Sequence, residues 1–105
     1  MTVDKLSGML GLAAKAGKIV SGETAVRAAI QKNQAALLLA EEGASANTQD
    51  RMQKLSAAYD LRLIRVEALD RKIGRPERTM AAVCDEGFAK AIARLTDERI
   101  TGVQK

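Results

Sequence analysis

Apolar residues recur every three or four positions in five stretches of the chain, and this spacing predicts five helices. The predicted stripes are Leu6, Met9, Leu10 and Ala13; Val26, Ala29 and Ile30; Thr48, Met52, Leu55 and Tyr59; Leu69 and Ile73; and Phe88, Ala91, Ile92 and Leu95.

Polar residues beside these stripes predict where the helices begin and end. Thr2 or Asp4 is expected to cap the first helix, Ser21 the second and Asp85 the last, because short oxygen-bearing side chains accept from the free N–H groups of a first turn. Asn33 is expected to end the second helix, since asparagine tolerates the left-handed conformation.

Four short apolar segments lie between the helices and predict strands at Ile19-Val20, Ala36–Ala40, Leu61–Val66 and Thr79–Cys84. The continuous run at Ala36–Ala40 is typical of a strand buried on both faces, and Leu61–Val66 is expected to be another inner strand. Alternation of helices with buried strands predicts a single α/β domain, a three-layer α/β/α sandwich in which five helices cover a four-stranded mixed sheet. The polar residues after Thr96 predict a poorly ordered tail beyond about residue 97.

Composition excludes several functions. The 105 residues are 47% hydrophobic and 29% charged, which fits one globular domain. One cysteine and no histidine exclude disulfides, the common zinc sites and imidazole catalysis, so no enzyme, cofactor or metal is expected. The two aromatic residues argue against a base-stacking surface. No apolar run approaches ~20 residues and no signal-peptide pattern is present, so a cytoplasmic protein without membrane contact is expected.

Positive charge is concentrated in two separate segments. Residues 1–32 hold five Lys/Arg and two acidic residues, a net +3, and residues 71–78 hold four against one, also +3. Residues 33–70 carry a net −2 and the remainder balances. If the fold joins the two segments, Lys15, Lys18, Arg27, Lys32, Arg75 and Arg78 form one basic patch; otherwise they are an ordinary solvated surface.

The segment from Lys18 to Lys32 joins a short strand to a helix through Ser21-Gly22. Because glycine leaves the backbone uncovered and a helix N-terminus carries positive partial charge, this junction could hold a phosphate. A Gly22→Leu substitution is expected to block that approach while the fold tolerates it. The alternative is an ordinary strand–helix junction.

The motifs AxxAGKxxSGE at Ala13–Glu23 and DEGFAK at Asp85–Lys90, together with ALLLAEEGASANT and IGRPERTMAAVC, resemble the bacterial YlxQ branch of the ribosomal L-seven-Ae/L-thirty-e superfamily. The resemblance covers roughly residues 5–95. It implies a small α/β/α protein that binds structured RNA, kink-turn or ribosomal, with a role in ribosome function or assembly.

In that superfamily, RNA is gripped by the helix that begins at the glycine numbered 22 here and by the loop before the last strand. The resemblance implies an RNA-binding set of Lys15, Lys18, Gly22, Glu23, Thr24, Arg27, Lys32, Arg75 and Arg78. RNA-binding relatives carry Asn or Lys, Glu or Gln, and Lys at two, three and six residues after the glycine, where this chain has Thr24, Ala25 and Ala28. A protein-interaction subunit that has lost kink-turn specificity therefore remains the alternative, and a monomer is expected.

Two other features have structural explanations. Cys84 is expected to be a packing residue at the end of a strand. The carboxylate pairs Glu41-Glu42 and Asp85-Glu86 follow strands, as magnesium ligands do, but capping of the last helix explains Asp85 more simply.

Overall fold

A computed structural model describes the backbone of residues 5–101 and the side chains of residues 5–97. The elements, in chain order, are α1 (Lys5–Lys15), β1 (Ile19–Ser21), α2 (Glu23–Gln31), β2 (Leu37–Glu41), α3 (Ala46–Tyr59), β3 (Leu63–Val66), α4 (Leu69–Ile73), β4 (Met80–Val83) and α5 (Glu86–Thr101). The predicted elements are all present, and their bounds differ from the expected ones by a few residues. The proposed caps Thr2 and Asp4 lie outside the described residues.

The four strands form one mixed sheet in the order β1-β4-β2-β3. Strand β4 runs antiparallel to both β1 and β2, whereas β2 and β3 are parallel. The C-terminal ends of β1, β2 and β3 therefore lie at the same end of the sheet as the N-terminal end of β4. We call this the Gly22 end, and the opposite end, where Lys18 precedes β1 and Cys84 follows β4, the Lys18 end.

The two inner strands are buried on both faces. Every residue of β4 and the first four residues of β2 are buried. Leu37, Leu39, Ala81 and Val83 pack against α1, α4 and α5, and the alternate residues Leu38, Ala40, Met80 and Ala82 pack against α2 and α3. The predicted three-layer α/β/α sandwich is thus confirmed, with a separate apolar core on each side of the sheet.

Strand β3 corrects the expectation of a third inner strand. It pairs with β2 alone and so lies at the edge of the sheet, opposite the edge formed by β1. Ile64 and Val66 are buried under the α1 layer, but Arg65 on the other face is exposed. A charged side chain within a short strand is a feature by which natural edge strands resist pairing with other chains.

The helix ends combine confirmed and wrong predictions. Asp85 does cap α5, since its Oδ2 accepts from the N–H of Phe88 at 2.8 Å. Asn33 has the expected left-handed backbone, φ 61°, immediately after Lys32, which caps α2. The prediction that Ser21 caps α2 is wrong. Ser21 is the last residue of β1, and Gly22 is the residue that precedes the first turn of α2. Helix α5 continues to Thr101, beyond the expected start of a polar tail near residue 97.

The two-sided burial of β2 leads to a stability prediction. Leu39→Ala removes a fully buried side chain from a closely packed strand and should lower the free energy of unfolding by about 2–5 kcal/mol. The matched control is Leu12→Ala, at a side chain that is 58% exposed, which should change it by no more than about 0.5 kcal/mol. Urea denaturation measures both, and equal effects would show that burial does not govern stability here.

Candidate nucleic-acid interface

The N-terminus of α2 is open at the Gly22 end of the sheet. Gly22 is the residue that precedes the helix, and no side chain caps the first turn. Its own N–H donates to the carbonyl of Met80 at 2.9 Å, which fixes the junction against β4. Because the first N–H groups of an α-helix have no acceptor within the helix and no side chain caps them here, they carry positive partial charge at this end.

The backbone of Gly22 explains why glycine is required. Its φ of 92° and ψ of 151° lie in a region that other residues enter only at a cost of about 1–3 kcal/mol. The expectation that the fold tolerates leucine at this position is therefore wrong. A bulky residue at position 22 would strain the strand–helix junction as well as cover it.

Arg78 lies directly against this helix N-terminus. A Cβ atom placed on Gly22 would be 2.7 Å from Nη1 of Arg78 and 3.4 Å from its Cζ. The exposed guanidinium of Arg78 therefore lies beside the uncapped N–H groups at the start of α2. Helix dipole and side-chain charge both favour an anion there, and a guanidinium offers paired donors that match a phosphate.

The loop that carries Arg78 also carries Arg75, so the structure brings the second basic segment to Gly22 as expected. This α4–β4 loop (residues 74–79) is held by Asp70, whose Oδ2 accepts from the N–H of Glu77 at 3.3 Å and whose carbonyl accepts from Arg75 at 2.9 Å. Gly74 and Glu77 have left-handed backbones, with φ of 72° and 62°. Arg75 and Arg78 are exposed on this constrained loop.

Glu41 positions the helix before that loop, a role that the sequence did not indicate. Its carboxylate accepts from the N–H groups of Ala68 at 3.0 Å and Leu69 at 2.7 Å, at the start of α4. Its own N–H donates to the carbonyl of Thr79, at the end of the α4–β4 loop. Glu41 thereby joins both ends of the α4 segment to β2. Within the described residues, no group of three metal-ligating side chains is placed to hold an ion.

The carboxylate of Glu23 pairs with two arginines beside the uncapped N-terminus of α2. Its carboxylate accepts from Nε of Arg27 at 3.0 Å, one turn along α2, and from Nη1 of Arg51 at 2.7 Å, on α3. Arg27 and then Arg51 hold the pKa of Glu23 below its ordinary value. Sequence reasoning missed Arg51 because 28 residues separate it from Glu23; only the packing of α3 beside α2 brings them together.

The remaining lysines of the expected patch are elsewhere. Lys15 ends α1, Lys18 precedes β1 and Lys32 follows α2, and all three are exposed at the Lys18 end of the sheet. Strand β1 and the full length of α2 separate them from Gly22. The expectation of one patch is wrong, because strand and helix carry the chain from one end of the sheet to the other.

The exposed face of α2 links the two ends. Thr24, Arg27 and Gln31 are exposed along it, and Ala28 between them is half-buried. Thr24 belongs to the first turn, beside the open N–H groups. Ala25 and Ala28 carry only a methyl group each, whereas the resemblance implies Glu or Gln and Lys, respectively, at these two positions.

The environment of Cys84 bears on the expectation that it is a packing residue. Cys84 is half-buried at the end of β4, where its N–H donates to the carbonyl of Lys18, and burial raises the pKa of its thiol. A raised pKa keeps the thiol protonated and unreactive at neutral pH, which fits a packing residue.

Across residues 5–101, no helix has both the length and the apolar character needed to cross a bilayer.

The Glu23 pair predicts a specific titration. NMR should place the midpoint of the Glu23 carboxylate below 4.5, the ordinary value, because the ionised form is stabilised by Arg27 and Arg51. A depressed pKa adds stability above the ordinary value, and this is lost as the pH falls through the folded value. Arg27→Gln and Arg51→Gln should each raise the midpoint. A midpoint unchanged in the double variant would show that the two guanidiniums are not the cause.

Individual relatives, and not a family model, show which family the chain belongs to. No family model matches the chain. It is 39% identical over 92 residues to the RNA-binding protein YlxQ of Bacillus subtilis and 30% identical over 96 residues to that of Enterococcus faecium, covering 92% of each relative and 85% and 89% of this chain.

Solved structures agree with this placement. A protein with unknown function from Bacillus halodurans, 32% identical, superposes with a TM-score of 0.85 over 91% of this chain and all of that one. A Giardia lamblia 15.5kD RNA binding protein shares the fold at 12% identity, with a TM-score of 0.69 over 93% of this chain and 90% of that one. The resemblance that the motifs indicated is confirmed: the chain belongs to the YlxQ family.

Proposed function

We propose that this protein binds structured RNA through the Gly22 end of the sheet, where the open N-terminus of α2 lies beside the α4–β4 loop. The observation that carries the proposal is the guanidinium of Arg78 lying against the uncapped helix end at Gly22. Together they make a positive site shaped for a phosphate at close range. The YlxQ relatives are named RNA-binding proteins, which supports RNA as the source of that phosphate.

The composition of the site favours recognition of RNA shape over base stacking. The exposed aromatic ring of the described chain is Tyr59, at the far end of α3 and away from Gly22. Rigid backbone donors and arginine charges suit a sharply bent backbone, in which phosphates approach one another. We therefore propose a kink-turn or a similarly bent ribosomal RNA as the target, bound by a monomer, with a role in ribosome function or assembly.

The decisive test compares two RNAs of equal length with wild-type protein. One is a duplex interrupted by a kink-turn, and the other is its fully paired counterpart. Tighter binding of the kinked RNA in a mobility-shift titration at fixed salt would support the proposal. Equal affinity for the two would refute shape recognition, and no binding of either would favour the protein-interaction alternative.

A charge placed on α2 should distinguish the two ends of the helix. Thr24→Glu adds a negative charge beside the open N–H groups and should weaken binding of the kinked RNA about fivefold, since a single unfavourable charge contact costs on the order of 1 kcal/mol. The matched control Gln31→Glu adds the same charge on the same face at the other end. An acidic residue in the first turn favours the helix, so Thr24→Glu should keep the melting temperature of wild type, and a thermal melt checks that lost binding is not unfolding. Equal losses in the two variants would exclude the N-terminus of α2 as the contact.

The α4–β4 loop generates a second prediction. Arg75→Gln with Arg78→Gln removes two phosphate contacts and should reduce the slope of log K against log salt by about two. The control double variant Arg65→Gln with Arg94→Gln removes two exposed arginines from β3 and α5 and should leave the slope unchanged. Fluorescence titrations at several salt concentrations measure both. The same slope in the loop variant and in wild type would show that the loop does not contact RNA.

A further inference from the structure

We infer that Lys15, Lys18 and Lys32 form a second RNA-contact surface at the Lys18 end of the sheet, which holds a single strand leaving the structured RNA. The inference rests on the proposed function, which it extends from one contact surface to two. It explains why the chain places unpaired lysines at the end of the sheet opposite its open helix.

The three lysines converge from three layers of the fold. The N–H of Lys18 donates to the carbonyl of Ala13 at 2.9 Å, which holds it against the last turn of α1, where Lys15 lies. Its carbonyl accepts from Cys84 at 2.7 Å, at the end of β4. Helix α2, which ends at Lys32, packs over β1 and β4 on the other face of the sheet. Lys18 therefore belongs to the sheet layer, and Lys15 and Lys32 follow from the helical layers on its two sides.

These lysines are available to a ligand. Among residues 5–97, none of the three side chains has a hydrogen bond or an ion pair, whereas Arg27 and Arg51 share the carboxylate of Glu23. All three are exposed. A lysine without a partner retains its full charge for a phosphate, and neutralising each phosphate releases bound counterions from the RNA.

Acidic residues at this end do not cancel the lysines. Asp85 is committed to capping α5 through the N–H of Phe88, and Glu86 follows it in the first turn. Asp60 belongs to the connection that enters β3, three strands away from β1 in the sheet. Three lysines without an ion-pair partner in the described part of the chain thus outnumber the two carboxylates on the β1 side of the sheet, which leaves a net positive charge there.

The polar face of α2 provides the path between the two surfaces. The helix rises 1.5 Å per residue, so Gly22 and Lys32 are about 15 Å apart along it. Thr24, Arg27 and Gln31 are exposed on the way. A strand that leaves an RNA held at Gly22 can follow this face to the lysines.

The test adds a tail to the RNA. The kinked RNA is compared with the same RNA carrying a single-stranded oligouridine extension, in titrations between 50 and 200 mM salt. With wild-type protein, three added contacts to a single strand should steepen the salt slope by about two, so the affinity gained from the tail should fall roughly 15- to 20-fold over that range.

Three variants localise the effect of the tail. Lys15→Gln, Lys18→Gln and Lys32→Gln together should abolish the gain from the tail and leave binding of the untailed RNA within about twofold of wild type. Arginine at the same three positions should restore the gain, because it keeps the charge. The control Lys5→Gln, Arg65→Gln and Arg94→Gln removes three exposed cations that have no ion-pair partner among residues 5–97 and lie outside both surfaces, and it should keep the gain. A gain that persists in the glutamine variant would overturn the inference.

The design separates this inference from the proposed function and from a structural role. If wild-type protein binds neither form of the kinked RNA, the proposed function fails, and an oligouridine alone then tests the lysines: equal binding by wild type and glutamine variant overturns the second surface. Lysines at the ends of α1 and α2 also favour the helix dipoles, which would appear as a lower melting temperature. A normal gain from the tail in a glutamine variant that melts earlier would assign the lysines to stability alone.

Discussion

The structure depends on the burial of β2 and β4 on both faces. Because Leu38 and Ala82 pack under α2 and α3 while Leu39 and Ala81 pack under the other three helices, neither layer can be removed without exposing an inner strand. Helices α2 and α3 each begin at the Gly22 end of the sheet and finish at the Lys18 end, whereas the short α4 joins β3 to β4 at the Gly22 end. Two-sided burial therefore gathers chain reversals, with their free backbone groups and charges, at two opposite ends.

The antiparallel pairing of β1 with β4 turns this arrangement into a site. It places Ser21 beside Ala81, so that the residues following β1 and the residues preceding β4 meet. Gly22 and Arg78, separated by 56 positions in the chain, come together for this reason alone. Glu41 adds rigidity from the next strand, since its side chain holds the start of α4 and its backbone holds the end of the α4–β4 loop. The backbone conformation of Gly22, which only glycine adopts without strain, lies where the proposed RNA would approach the helix closely.

Sequence periodicity predicted the layers well because the inner strands are short continuous apolar runs and the helices carry regular stripes. It failed for β3, where Leu63, Ile64 and Val66 have inner-strand character and only Arg65 signals the edge. It failed for Ser21 because strand and cap prefer similar extended backbones, so local preference could not decide between them. The hypothesis of a single basic patch failed because charge counted along the chain carries no information on which end of the sheet each residue occupies.

The basic residues differ in whether they have an acidic ion-pair partner. This difference, more than their number, distinguishes the contacts to which each is suited. The carboxylate of Glu23 is shared by Arg27 and Arg51, so these two arginines are oriented and partly neutralised, and they suit precise contacts at fixed positions. Arg78 is placed by the loop and not by an acidic partner, next to backbone donors that add to its charge. The lysines at the Lys18 end have neither an acidic partner nor a neighbouring open helix, which suits mobile attraction of phosphates. A chain with a formal net charge of only +4 can thus carry a constrained basic cluster at one end of the sheet and, within the described residues, lysines without acidic partners at the other, because Glu41 and Asp85 cap helices and the carboxylate of Glu23 is shared by two arginines.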